Sequence, residues 1–287
     1  MTSVLQDPIH GAGLRDLWGK SVELPDIVLT AAANANEDAQ AQAEKIASFW
    51  RVSYVERKGR PISRLFADLQ IQTLIVYRGP GDVKMYDSGQ AADPFFYHPG
   101  IAILRLKQLL AGGQDRLLGV TGIRAGDAVL DGTAGLCADA AVMAYAAGQT
   151  GSCVAFEASP AVALVVAMAL SDYKSGVAAF EAALRRIDLR CATWQEALTQ
   201  YADDTVDVVY LDPMFSVEKD SAGIRPLRRF AHIAELTRAD LAQALRVARK
   251  AVVIKDGWPG PLLKKLGISP DSRSRKSTLY GCVLKGE

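Results

Sequence analysis

The segment Val208-Val-Tyr-Leu-Asp212-Pro213-Met214-Phe215 places a carboxylate, an imino acid and an aromatic ring at the end of an apolar run. Pro213 has no N–H and a fixed φ, so carbonyls near Asp212 can turn outward instead of extending a ladder. A carboxylate beside a carbonyl can accept both hydrogens of an exocyclic amino group. Phe215 can stack on the ring that carries that group. This chemistry suits transfer of a group to a ring-borne amine. The plainer alternative is a strand terminator with a buried Phe.

Two further segments end in residues able to hold a ligand. In Ala128-Val-Leu-Asp131-Gly132-Thr133-Ala134-Gly135-Leu136 an apolar run enters a glycine-bearing turn and then a helical stretch. Gly132 and Gly135 allow close approach of backbone to ligand. The N–H groups at the helix start, Cys137–Asp139, favour an anion. An ordinary tight turn fits the same residues. The spacing is not GxGxxG, which argues against NAD or FAD. Glu157 follows the apolar run Cys153–Phe156, where a carboxylate can accept both hydroxyls of a ribose.

These segments need a frame that brings their ends together. From residue 125 onward, strands are expected at Ala128–Leu130, Cys153–Phe156, Asp188–Cys191, Val206–Leu211 and Ala251–Lys255. They alternate with helices expected at Ala138–Ala147, Pro160–Tyr173, Val177–Arg186, Trp194–Gln200 and Thr237–Arg249. A last strand is expected within Ser277–Leu284. Such alternation predicts a Rossmann-like α/β fold, a mostly parallel sheet covered on both faces. Its ligand should lie beyond the carboxyl ends of the strands. Ahead of it, residues 1–24 read as an irregular arm and residues 25–97 as a small α+β domain. Within that domain Thr73–Tyr77 and Asp82–Tyr86 form a hairpin across Arg78-Gly-Pro-Gly81. Residues 98–124 read as linking helices, with Pro99 near the first turn and Gly112-Gly113 as a stop.

With these motifs in place, the chain resembles the bacterial small-subunit ribosomal RNA guanine-N2 methyltransferase family. The resemblance rests on Asp131-Gly-Thr133-Ala134-Gly135-Leu136-x-x-Asp139-Ala140, Glu157, Asp212-Pro-Met-Phe215, and Phe96-Tyr97-His98-Pro99 ahead of the linking helix. It is strongest with a branch of S-adenosylmethionine-dependent methylases that carries a longer N-terminal domain. It implies a class I methyltransferase with a seven-stranded sheet over residues 125–287, S-adenosyl-L-methionine as cofactor and RNA as partner. It further implies that Asp131, Thr133, Ala134 and Gly135 bind the cofactor and that Ala138 and Asp139 lie against its methionine part. Glu157 and Ala158 would hold the ribose and adenine edge, and Thr193 and Trp194 would flank the adenine. Asp212 would sit between cofactor and target amine. Two positions depart from the family pattern: Thr193 replaces a polar or acidic adenine contact, and Ser216-Val-Glu-Lys follows the Asp-Pro-Met-Phe motif.

Near that motif, Arg225, Arg228 and Arg229 form a basic stretch that could grip phosphates, and a solvated loop is the alternative. Arg51, Arg57, Lys58, Arg60 and Arg64 give the N-terminal domain a basic surface of its own. His98 could contact substrate at the junction of the two domains. With 33 basic and 32 acidic side chains, nucleic acid would have to be held by such a local patch and not by overall charge. Cys137, Cys153, Cys191 and Cys282 show no CxxC pairing, which argues against zinc and against a disulfide framework. No apolar run has the length of a membrane span and no secretory leader is recognisable, so a cytoplasmic protein is expected. Methyl transfer to a protein carboxylate or small molecule, or a non-catalytic binding module on the same core, stays open beside RNA methylation.

Overall fold

Alternation of apolar runs and helices builds two sheets in the computed structural model, which describes residues 15–16, 22, 24, 26–88, 93–213, 235–274 and 278–286. The larger sheet contains β1 (Arg15–Asp16), β7 (Ala128–Asp131), β8 (Ser152–Glu157), β9 (Ile187–Cys191), β10 (Val206–Leu211), β11 (Ala248–Asp256) and β12 (Leu279–Leu284). Its order is β1-β9-β8-β7-β10-β11-β12. Every neighbouring pair is parallel except β11 with β12. Successive strands step outward from β7 to β8 and β9, then the chain returns to place β10 on the other side of β7. The crevice at that reversal is where such sheets bind ligands.

Helices cover both faces of this sheet: α5 (Ala138–Ala147), α6 (Pro160–Asp172), α7 (Ala178–Arg185), α8 (Trp194–Gln200), α9 (Arg238–Val247) and α10 (Pro261–Leu266). The run Ala161–Leu170 is too short to span a membrane, and it is α6, buried from Val162 to Leu170. Ser159 caps that helix by accepting from the Val162 N–H, and Pro160 fills its first turn. Every residue of β10 is buried, as expected of a central parallel strand. At its amino end Asp207 pairs with Arg249 at 2.7 Å, and Asp127 pairs with Lys250 at 2.6 Å, which locks β7, β10 and β11 together away from the crevice.

The smaller sheet has the order β3-β2-β4-β5-β6, from β2 (Ile27–Ala31), β3 (Ser53–Tyr54), β4 (Thr73–Gly79), β5 (Asp82–Asp87) and β6 (Phe95–Phe96). α1 (Glu37–Trp50), capped by Asn36, and α2 (Ile62–Leu69) connect its parallel strands, and β4 and β5 form the expected hairpin. The core runs continuously from this sheet into the larger one: Ile46, Trp50 and Tyr77 share a cluster with Met168 and Leu170. Tyr97 and Tyr173 meet edge to face across the same seam. In the chain, α3 (Ala102–Leu110) and α4 (Arg116–Thr121) come between β6 and β7.

Four features differ from the sequence reading. Arg15–Asp16, within the arm read as irregular, adds a strand to the open edge of β9, where unpaired backbone groups offer a template. Two residues are too few to show a period. β6 escaped notice for the same reason. α9 stops at Val247, short of Arg249, because Ala248 already belongs to β11 and pairs with Val206 of β10. α10 was not expected, although Pro261 at its start and Gly267 at its end are ordinary helix signals.

Candidate active site

The turn after β7 is built around buried backbone approaches. Gly132 donates its N–H to the Tyr210 carbonyl at 2.9 Å. A Cβ on Gly132 would fall 2.5 Å from Leu211 Cδ2 and 2.8 Å from Trp194 Cβ, so only glycine fits without displacement. Gly135, at φ 48°, donates its N–H to Glu157 Oε2 at 3.1 Å. Glu157 Oε1 accepts from the Ser159 N–H at 2.8 Å, so one carboxylate at the end of β8 ties its own turn to the glycine turn. Ala134 donates to the Phe156 carbonyl at 2.9 Å. Asp131 is almost wholly buried and its Oδ1 accepts from the Thr133 N–H at 2.9 Å. Burial pushes the Asp131 carboxyl up to about 7, with Asp139 and Asp212 adding to the rise against the Thr133 hydrogen bonds.

Asp212 joins this turn directly. Its N–H donates to Thr133 Oγ1 at 2.7 Å, so the segment after β10 is fixed to the segment after β7. The sequence therefore brings its first and third motifs into one place by a bond between their ends. Lys255, opposite Asp212 in the parallel register that pairs Leu211 with Ile254, donates to Asp212 Oδ2 at 2.7 Å and to Asp139 Oδ2 at 3.1 Å. Tyr210 donates its hydroxyl to Asp139 Oδ2 at 2.7 Å, and Arg105 reaches Asp139 Oδ1 at 2.5 Å. Arg105 also holds Asp115 through two bonds, of 2.7 and 2.9 Å, a two-pronged geometry that fixes the guanidinium plane.

The result is a chain of alternating charge, Asp115–Arg105–Asp139–Lys255–Asp212, running from the linking helices to the end of β10. Burial alone would raise the Asp139 carboxyl, but Lys255 and Arg105 outweigh it and hold the group well below the usual carboxylate range. Burial would likewise depress the Lys255 ammonium, and Asp212 and Asp139 reverse that and raise it. Burial pushes the Tyr210 hydroxyl up, reinforced by Asp139 and Asp212, so it stays a donor.

Other expected site residues are placed less centrally. Ala138 opens α5 and Ala158 follows β8, both half-buried. The Thr193 hydroxyl is committed to a capping box with Glu196 at the start of α8. Trp194 is buried beneath the Gly132 turn, packed in the core with Leu130 and Leu211. His98 is half-buried with its ring 5.8 Å from that of Phe96. Pro213 is buried. Phe215, Arg225, Arg228 and Arg229 lie outside the described residues. On the N-terminal domain, Arg60 and Arg64 pair with Asp68 and Lys58 with Glu56, so part of that basic surface is neutralised locally.

Sequence reasoning passed over Lys255, Arg105, Tyr210 and Asp115. Lys255 had a readable signal, a cation closing the apolar run Ala251–Ile254 in the strand next to Asp212. It passed over Trp258 as well, which stands 61% exposed just beyond the carboxyl end of β11. Among the described residues, no group of three or more His, Cys, Asp or Glu side chains could hold a metal ion, and no helix is long and apolar enough to cross a membrane.

A family model described as "Putative SAM-dependent methyltransferase" matches residues 101–280. The chain belongs to this family. It is a methyltransferase whose cofactor is S-adenosyl-L-methionine. A Bacillus subtilis protein, YpiP, is 32% identical over 257 residues, covering 89% of this chain and 98% of the relative. A Tolumonas auensis protein named ribosomal RNA small subunit methyltransferase J is 32% identical over 189 residues, covering 62% of this chain and 74% of the relative. A Pseudoalteromonas atlantica protein of the same name is 27% identical and covers 88% and 98%. A solved SAM-dependent methyltransferase from Neisseria gonorrhoeae shares the fold at a TM-score of 0.59, with 19% identity over 90% of this chain and 96% of that one.

The geometry fits the cofactor of this family. Gly132 packs directly on Leu211 and Trp194, Gly135 takes a positive φ, α5 starts just after the turn, and the buried Glu157 carboxylate closes the neighbouring strand, all at the crevice where the strand order reverses.

Proposed function

We propose that this methyltransferase acts on an exocyclic base nitrogen of RNA, with guanine N2 of small-subunit ribosomal RNA as the acceptor. The observation that carries the reading is Asp212, whose N–H is bonded to Thr133 in the glycine turn while its carboxylate lies at the open end of β10. An acceptor for an amino group thus stands beside the cofactor turn. Names of relatives add support, since several are small-subunit ribosomal RNA methyltransferases.

In this reading Asp131, Thr133, Ala134, Gly135, Ala138 and Asp139 line the methionine side of the cofactor. Glu157 and Ala158 hold the ribose and adenine edge, and Thr193 and Trp194 shape the adenine side. S-adenosylmethionine supplies a methyl group that is already electrophilic, so the protein's task is alignment and exclusion of water. An exocyclic guanine amine is a weak nucleophile because its lone pair is shared with the ring. Asp212 and the Pro213 carbonyl each accept one of its N–H bonds, which turns the lone pair toward the methyl and stabilises the developing positive charge. The amine nitrogen forms the new N–C bond as the S–C bond breaks, and the surplus proton leaves afterwards to Asp212 or water. Phe215 stacks on the base, while Arg225, Arg228, Arg229 and His98 hold the surrounding RNA. A carboxylate acceptor would be repelled by Asp212.

The test is transfer of tritium from labelled S-adenosylmethionine to ribosomal RNA prepared from cells lacking this protein. Asp212→Ala should keep the fold and the affinity for S-adenosylhomocysteine yet abolish transfer. Unchanged turnover in that variant would sink the assignment. Label in protein or small molecules and none in RNA would replace RNA as substrate.

A further inference from the structure

Asp139 already has a cation in Arg105, which is itself clamped two-pronged by Asp115. Shared between two carboxylates, Arg105 leaves one negative charge uncompensated, and Lys255, a second and partly buried cation, stands between Asp139 and Asp212 as their common counter-charge. Desolvating an ammonium is costly, and a partly buried lysine closing the apolar run Ala251–Ile254 calls for a specific partner. The nearer partner of Lys255 is Asp212, at 2.7 Å against 3.1 Å for Asp139.

We infer that Lys255 is a positioning residue for methyl transfer, holding one oxygen of Asp212 so that the carboxylate stays ionised and fixed in orientation toward the acceptor amine. This rests on the reading of Asp212 as the acceptor-orienting group. Lys255 is held in turn by Asp139, so the orientation of Asp212 is referred through Arg105 and Asp115 to the linking helices. The groups facing Lys255 come from each neighbouring element: Asp212 after β10, Tyr210 within it, Asp139 from α5, Arg105 from α3 and Tyr280 from β12. Without the ammonium, Asp139 would keep Arg105, while Asp212 would lose this counter-charge beside the carboxylates of Asp139 and Asp131 and be harder to ionise.

The experiment uses the full chain with labelled S-adenosylmethionine and ribosomal RNA, across pH, for wild type, Lys255→Met and Lys255→Arg. Lys255→Met should bind S-adenosylhomocysteine within about threefold of wild type, because Asp139 keeps its bonds to Arg105 and Tyr210 and the glycine turn and Glu157 are untouched. Its kcat should fall on the order of 100-fold, the scale on which small misplacements act. The acid limb of its pH profile should rise by about 1–3 pH units, the effect of removing an opposite charge at this range. Lys255→Arg should restore most of the turnover and the original acid limb. A Lys255→Met profile that keeps the wild-type acid limb overturns the inference. So does a loss of turnover matched by loss of S-adenosylhomocysteine binding and not rescued by arginine, the pattern of a structural lysine.

A second readout needs no substrate. The 15N resonance of the Lys255 ammonium, assigned by its loss in Lys255→Arg, should move when Asp212→Asn is introduced. An unmoved resonance overturns the clamp. If wild type leaves RNA unlabelled while that resonance does move, the substrate reading fails and the clamp stands.

Discussion

Asp139→Asn is the sharpest perturbation of the charged chain, because it keeps shape and removes only the central negative charge. The side chains around it are largely out of water: Asp139 is 14% exposed, Arg105 16% and Lys255 27%. Breaking a buried pair from one side costs about 3–5 kcal/mol, because the remaining charge stays desolvated. Here both cations keep another carboxylate, Asp115 for Arg105 and Asp212 for Lys255, so the lower end, about 3 kcal/mol, applies. At roughly 2–4 °C per kcal/mol for a domain of this size, the melting temperature should fall by about 6–12 °C. Differential scanning calorimetry at several pH values measures it. The folded Asp139 carboxyl lies below its unfolded value, so its stabilisation is present in full above about pH 4 and fades only as pH falls further. The direct Asp139 contribution should therefore be flat from about pH 5 to 8, while the difference between wild type and variant narrows as pH rises toward 7, because Asp139 also raises Asp131 and the variant loses less when that group ionises. A shift under about 2 °C, or one that vanishes in high salt, would show the chain to be solvated and worth no more than surface pairs.

Three other outcomes are expected. Gly132→Ala forces a methyl against Leu211 and Trp194, so it should cost about 1–3 kcal/mol of stability and weaken S-adenosylhomocysteine binding in a calorimetric titration. Unchanged binding there would mean the turn does not approach the cofactor. Asp131, raised to about 7, favours its protonated form in the folded state, so wild type should lose stability as pH rises from about 4 through 7, and Asp131→Asn should flatten that part of the melting profile. A profile identical to wild type would show that Asp131 ionises normally. Trp258→Ala should weaken binding of ribosomal RNA by about 1–3 kcal/mol, the worth of one stacked base, and leave S-adenosylhomocysteine binding alone. Equal RNA affinity in a filter-binding assay would remove Trp258 from the substrate surface.

Much of the larger sheet was legible because its signals are local. Apolar runs such as Val206–Leu211 and Ala251–Ile254 bounded by turns read as buried strands, and Thr193 with Glu196 marks a helix start in four residues. The hairpin of β4 and β5 was legible from Arg78-Gly-Pro-Gly81 alone. Two-residue strands were not, since pairing partners far away in the chain decide them. Arg15–Asp16 becomes a strand only because the edge of β9 is there to receive it.

The sequence by itself determined which residues could do chemistry at the strand ends: Asp131 with its glycine turn, Glu157, and Asp212 before Pro213. Residue type and neighbouring turn chemistry suffice for that. Only the tertiary structure decided how these groups are charged and aimed. Asp139 and Asp212 are 73 positions apart as numbered, and Arg105 comes from α3, ahead of β7, yet one lysine on β11 touches both carboxylates. Parallel register brings Lys255 beside Asp212, and burial makes each pair strong enough to shift its partners. Neither distance nor dielectric is written in local sequence, because both arise only when distant segments exclude water from one another.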